Sequence, residues 1–161
     1  MRYDGVKLPI SPLFARGGTL VQHRSLQSGN LNNFLSNLNF VKGVNGHIAF
    51  NEAAEENDTI SAEEFARLGT RVLPITRETQ TINAYGYQRG DLRGMPKWCI
   101  TVGMKQILAS RRIYIALNRP WQHGIFKHVL FDKIQPQIPA TLLQKHRKVT
   151  FCAYSEVVEG I

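Results

Sequence analysis

Within eight positions the chain presents an amide, an imidazole and a carboxylate: Asn45, His47 and Glu52. They lie in the run Gly43-Val44-Asn45-Gly46-His47-Ile48-Ala49-Phe50-Asn51-Glu52. A carboxylate beside a histidine can hold it in one tautomer and raise its basicity, which suits it to proton transfer at neutral pH. Gly43 and Gly46 let the backbone turn sharply and come close to a ligand. Spacing alone is a weak signal, because a histidine in a glycine turn is commonly just a surface residue. The other reactive side chains are more scattered. Cys99 and Cys152 are flanked by strand formers and are expected to be buried thiols, and neither has metal-ligand spacing, so neither a metal nor a disulfide scaffold is expected. Trp98 and Trp121 sit in apolar patterns and read as core residues, while His128 and His146 have basic surroundings and read as solvated.

The elements around these residues give the first run its position. Leu38-Asn39-Phe40-Val41 reads as a short strand leading into the glycine turn at 42–47. Ser61-Ala62-Glu63-Glu64 carries a capping box and opens a short helix through Phe65, which Gly69 can close. Strands are expected at 98–102, 112–117 and 148–154, with a helix at 103–110 on Met104, Ile107 and Leu108. Pro120 suits the first position of a second helix with the apolar face Trp121, Ile125, Val129 and Leu130, and Pro139 to Gln144 starts another. Short apolar runs alternating with helices describe an α/β fold: a mostly parallel, Rossmann-like three-layer sheet. The Asn45–Glu52 run then falls at the carboxyl edge of that sheet, where such folds bind ligands. Residues 1–37 show no periodic pattern and are expected to be irregular, leaving 38–161 as the α/β domain.

Composition narrows the class. The chain has 161 residues, 43% hydrophobic and 20% charged, enough to bury a core without staples. No apolar stretch is long enough to span a membrane and the first residues lack a signal-like run, so a cytoplasmic protein is expected. The net charge of +8 is uneven: residues 98–161 hold nine cations and three acids, whereas 46–97 hold six cations and eight acids. Such an excess suits an anionic partner. The cations are not interleaved with aromatics in a nucleic-acid-binding motif, which argues against nucleic acid. Self-association into a homo-oligomer stays open.

The Asn45–Glu52 run resembles the signature of the glucosamine-6-phosphate deaminase/isomerase family, roughly Gly-x-Gly-x-(Asp/Asn)-Gly-His-Ile-(Ala/Gly)-Phe-Asn-Glu-Pro. Eight consecutive positions match and Gly43 matches the second glycine; Val41 and Ala53 stand where the family has its first glycine and its proline. Pro96-Lys97-Trp98-Cys99-Ile100-Thr101-Val102-Gly103 and Ile138-Pro139-Ala140-Thr141-Leu142-Leu143-Gln144-Lys145-His146 resemble two further family segments. The resemblance runs from about residue 38 to 155, the C-terminal half of the usual family chain. It implies a cofactor-free reaction on a phosphorylated amino sugar: ring opening, proton transfer between C2 and C1, and release of ammonia to leave fructose 6-phosphate. By motif position His47 is the ring-opening acid/base, Glu52 orients it, and Asn45 stands where the family often has Asp. Gly43 and Gly46 would line the substrate. Gln122 aligns with a phosphate-contacting lysine, flanked by Arg119 and His123, and Arg71 falls near a family arginine. The phosphate-cradling loop and the acidic segment with the C2 base have no counterpart in 1–37, so the family pattern is expected to be truncated at its N-terminus.

Overall fold

The computed structural model describes residues 37–41 and 44–161. Lys42 and Gly43, and with them one predicted ligand-lining glycine and most of the segment expected to be irregular, lie outside the described residues.

The centre of the fold is a three-stranded parallel sheet in the order β1 (Asn37–Val41), β4 (Arg112–Leu117), β5 (Val149–Ala153). Strand β4 carries Ile113, Tyr114 and Ile115 in succession, and Ile113, Ile115 and Leu117 are fully buried. Register runs from Asn37 opposite Arg112 to Val41 opposite Ala116, and from Ile113 opposite Val149 to Leu117 opposite Ala153. Because the strands are parallel, the segments that follow β1 and β4 leave from the same edge.

The expected strand at 98–102 exists as β3 (Trp98–Thr101), but it is not part of the parallel sheet. It pairs antiparallel with β2 (Arg71–Pro74), a strand the sequence pattern did not mark because it is four residues long and ends in proline. The described residues therefore form a mixed α/β fold with two small sheets, not a complete three-layer sheet. Burial alternates along this ribbon, so Val72, Trp98 and Ile100 face outward, Trp98 with 63% of its surface exposed. Trp98 is thus not a core residue. Neither is Trp121, which is 43% exposed just before α4.

Among the described residues five α-helices surround the sheets: α1 (Ala62–Arg67), α2 (Arg77–Tyr87), α3 (Met104–Leu108), α4 (Gln122–Phe131) and α5 (Ser155–Val158). The capping box of α1 is formed, with Ser61 Oγ accepting from the Glu64 N–H at 3.2 Å and Glu64 Oε2 accepting from the Ser61 N–H at 2.8 Å. Helix α4 turns Ile125, Phe126 and Val129 inward, whereas Leu130, expected on that face, is exposed. Pro139–Lys145 is a 3₁₀ helix. There the Thr141 hydroxyl bonds the local backbone at Gln135 and Ile138, in competition with a regular α-helical ladder. Met104, Ile107, Ile113, Ile115, Leu117, Leu142 and Val157 make up the fully buried centre of the core, which Phe65 and Phe126 extend. Cys99 and Cys152 are half-buried free thiols, less enclosed than expected. No helix among the described residues is long and apolar enough to cross a membrane.

Candidate functional site

The connection leaving β1 doubles back on itself between His47 and Glu52. Ile48 and Asn51 pair across a tight turn, with the Asn51 N–H donating to Ile48 O at 3.0 Å, and Ala49 takes a left-handed conformation at φ 55°. Gly46 also has positive φ, +73°, and a Cβ there would lie 2.9 Å from Ile125 Cδ1 on α4 and 2.7 Å from Ile138 Cγ2. Only glycine lets the turn lie this close to α4. Asn51 is fully buried and anchors the turn from beneath. Its Nδ2 donates to Ile48 O at 2.9 Å and Val102 O at 2.8 Å, and its Oδ1 accepts from the Arg71 guanidinium at 2.7 Å.

This fold-back brings together the three residues singled out by spacing. His47 and Glu52 are both buried, with Nδ1 and Oε2 3.5 Å apart. Asn45 bridges them: its Oδ1 lies 2.7 Å from His47 Nδ1 and accepts from the His47 backbone N–H, while its Nδ2 donates to Glu52 Oε2 at 3.1 Å. Phe50 covers one face of the imidazole, the rings 15° from parallel with centroids 6.2 Å apart. Two further residues complete the cluster, and neither was marked in the sequence. Thr79 donates to Glu52 Oε2 at 2.9 Å, and Thr76 reaches the same oxygen at 3.3 Å. Thr76 is the N-cap of α2, and its N–H lies 3.4 Å from Glu52 Oε1, so the positive end of an 11-residue helix faces the carboxylate. Helix α2 lacks an apolar stripe, which hid it. The readable signal was Thr76-Arg77-Glu78-Thr79, a cap residue followed by an acid in the first turn.

Burial pushes the His47 imidazole below its ordinary value of 6.5, and the opposing pull of Glu52 is the smaller effect. The histidine is therefore a neutral base at physiological pH. In the interval between its folded value and 6.5 the unfolded chain binds more protons than the folded one. Stability should fall as pH drops below about 6.5 and level off beneath the folded value. Urea midpoints measured across that interval should show the slope in the native chain and lose most of it in His47→Gln. Cys99 on β3 is raised, chiefly by burial and secondarily by Glu52, and stays a neutral thiol.

The residues expected to contact phosphate follow β4 of the parallel sheet, Arg119 before α4 and Gln122 and His123 in its first turn. Arg119 is exposed. Gln122 is fully buried, and its Oε1 accepts from the Arg119 N–H at 2.9 Å, which ties the segment before α4 to the first residue of the helix. His123 is half-buried, with Nδ1 3.1 Å from Val157 O. Arg71 is tied to Asn51 and to Gly69 O rather than solvated. Among the described residues no group of three His, Cys, Asp or Glu side chains is placed to hold a metal.

Known proteins resemble this chain in sequence and in fold. Over 107 residues the chain is 31% identical to a glucosamine-6-phosphate deaminase of Staphylococcus aureus (strain MRSA252), covering 66% of this chain and 38% of that one. It is 31% identical over 109 residues to the Rhodopirellula baltica glucosamine-6-phosphate deaminase, covering 68% of this chain and 39% of the other. Among solved structures, a monomeric glucosamine-6-phosphate deaminase of the NagB superfamily superposes with a TM-score of 0.66 at 25% identity, over 77% of this chain and 47% of that one. The 6-phosphogluconolactonase of Trypanosoma cruzi shares the fold, with a TM-score of 0.54 at 15% identity over 78% of this chain and 41% of its own. The chain spans about two-fifths of the length of the curated relatives it matches. No family model matches it.

Proposed function

We propose that this chain, which aligns over 66% of its length with a glucosamine-6-phosphate deaminase at 31% identity, opens the ring of a phosphorylated amino sugar at this site, with His47 as the proton-transfer group. The observation that carries this is the asymmetry of His47: its Nδ1 is engaged inside the cluster, and Nε2 carries no bond to a described residue. Nε2 would take the proton from the C1 hydroxyl of the cyclic sugar and return it to the ring oxygen, giving the open aldehyde. Glu52 orients the imidazole. Gly46 lines the sugar, and the start of α4 with Arg119, Gln122 and His123 receives the phosphate. Moving the C2 proton to C1, while an amine proton passes to the C1 oxygen, then gives the C2 imine, which water hydrolyses to ammonia and fructose 6-phosphate. No cofactor enters this sequence. On the same reading residues 38–161 are the sugar-phosphate domain, their parallel strands belong to a larger Rossmann-like three-layer sheet, and the protein works in the cytoplasm.

The C2-to-C1 step needs a second base. Asn45 has no proton-accepting group to offer, and Glu52 Oε2 already takes bonds from Asn45, Thr76 and Thr79. A missing general base costs roughly two to four orders of magnitude in rate. The 161-residue chain is therefore expected to release ammonia from glucosamine 6-phosphate slowly, below about 0.1 per second against an ordinary range of about 1 to 1000. Purified chain and an ammonia assay decide it. Slow turnover that His47→Gln abolishes supports the reading; ordinary turnover means another residue supplies the base, with Asp4 the first to examine. A chain that binds the sugar phosphate without any turnover would be a relic that keeps only the binding turn.

A further inference from the structure

The carboxylate of Glu52 is 3.5 Å from His47 Nδ1, too far for a good hydrogen bond, and nearer groups occupy the space between them. We propose that Thr79 is a positioning residue: together with Asn45 it holds His47 as the Nδ1–H tautomer and carries the influence of Glu52 to the ring through neutral groups. This rests on the reading of His47 as the proton-transfer group.

The assignment follows from counting donors and acceptors. Asn45 Oδ1 accepts from the His47 backbone N–H at 3.2 Å, and Asn45 Nδ2 lies 3.1 Å from Glu52 Oε2. Exchanging the oxygen and nitrogen would set a carbonyl oxygen against a carboxylate and an NH₂ against an N–H. The oxygen is therefore the atom 2.7 Å from His47 Nδ1, and it can only accept. Nδ1 must carry the proton. Thr79 has one hydroxyl hydrogen, committed to Glu52 Oε2 at 2.9 Å, so its lone pairs face Nδ1 at 3.2 Å. Glu52 thus aims two neutral acceptors at the same N–H by accepting a hydrogen bond from each of them, and Nε2 is left as the basic nitrogen. The other titratable groups of the cluster do not compete. Cys99 on β3 stays a neutral thiol, and Arg71 on β2 is bonded to Asn51. The oxygen of Thr79 is not used to cap α2; Thr76 supplies that cap, accepting from the Thr79 N–H. Removing the hydroxyl should accordingly spare the helix and strike the site.

Long-range ¹H–¹⁵N spectra of the ¹⁵N-histidine-labelled chain, without ligand, test this. The native chain should show a protonated Nδ1 and a pyridine-like Nε2 for His47 at alkaline pH. Thr79→Val keeps the shape but removes a partner from both the imidazolium and the carboxylate, so the His47 titration midpoint should fall by about half a pH unit or more. Thr79→Ser should restore it. Where Thr79→Val does not fold, Thr79→Ala should shift the midpoint in the same direction. Residual ammonia release by Thr79→Val should drop about tenfold in kcat with KM little changed. An Nε2–H tautomer in the native chain, or a folded Thr79→Val chain that titrates like the native one, overturns the proposal. A chain with the expected tautomer and shifts that never releases ammonia instead overturns the proposed function and leaves the role of Thr79 standing.

Discussion

Replacing Asn51 with leucine should cost about 3 to 5 kcal/mol of folding stability, because it strips partners from three groups at once. The carbonyls of Ile48 and Val102 each lose a donor, and the Arg71 guanidinium loses its acceptor at 2.7 Å. Asn51 is fully buried, so water cannot readily replace the bonds to the two carbonyls. The loss should extend to function. Asn51 ties the turn carrying His47 and Glu52 to the end of β3, and with that tie cut the two side chains lose their common frame. Urea unfolding of the variant measures the first effect, and His47 linewidths in NMR spectra measure the second. A loss under about 1 kcal/mol would mean that the two carbonyls find other donors.

Gly103→Ala should be more damaging still, at about 4 kcal/mol or more. Gly103 is the N-cap of α3, and a Cβ there would collide with backbone atoms of Leu68 and Gly69 at the end of α1. Flexible side-chain tips can swing aside, but backbone cannot, so α1 and α3 would have to separate. That separation breaks the bond from the Lys105 N–H to Leu68 O at 3.0 Å and opens the core around Phe65, Met104 and Ile107. Soluble yield and thermal midpoint report the outcome, and a midpoint within a few degrees of the native chain would show that the junction can relax. Gly103 follows Val102, whose carbonyl Asn51 holds, so both substitutions attack the seam that supports the site.

The two sheets show where local pattern was sufficient and where it was not. Strands β1, β4 and β5 were legible because their apolar and β-branched runs suit a buried parallel ladder. Helix α1 was legible because a capping box is a local device, complete within Ser61 to Glu64. Strand β3 was legible as a strand but misassigned to a sheet. Its partner β2 lies 24 to 30 residues earlier by register, from Pro74 opposite Trp98 to Arg71 opposite Thr101, and pairing across such a distance leaves no mark in either segment alone. The exposure of Trp98 follows from that pairing, since a two-stranded ribbon has an outer face whatever residues occupy it.

The candidate site divides along the same line. Asn45, His47 and Glu52 were determined by residue type and short spacing, because one tight turn at Ile48–Asn51 suffices to fold them together. What surrounds them was decided by the tertiary structure. Thr76 and Thr79 come from a helix whose sequence is too polar to announce a buried face, and Asn51 acts through carbonyls and a guanidinium supplied by three different elements. Sequence determines which groups the chain carries and how its local turns close. Which of those groups satisfy one another in a water-poor interior depends on segments far apart in the chain, and only the packed fold sets those distances.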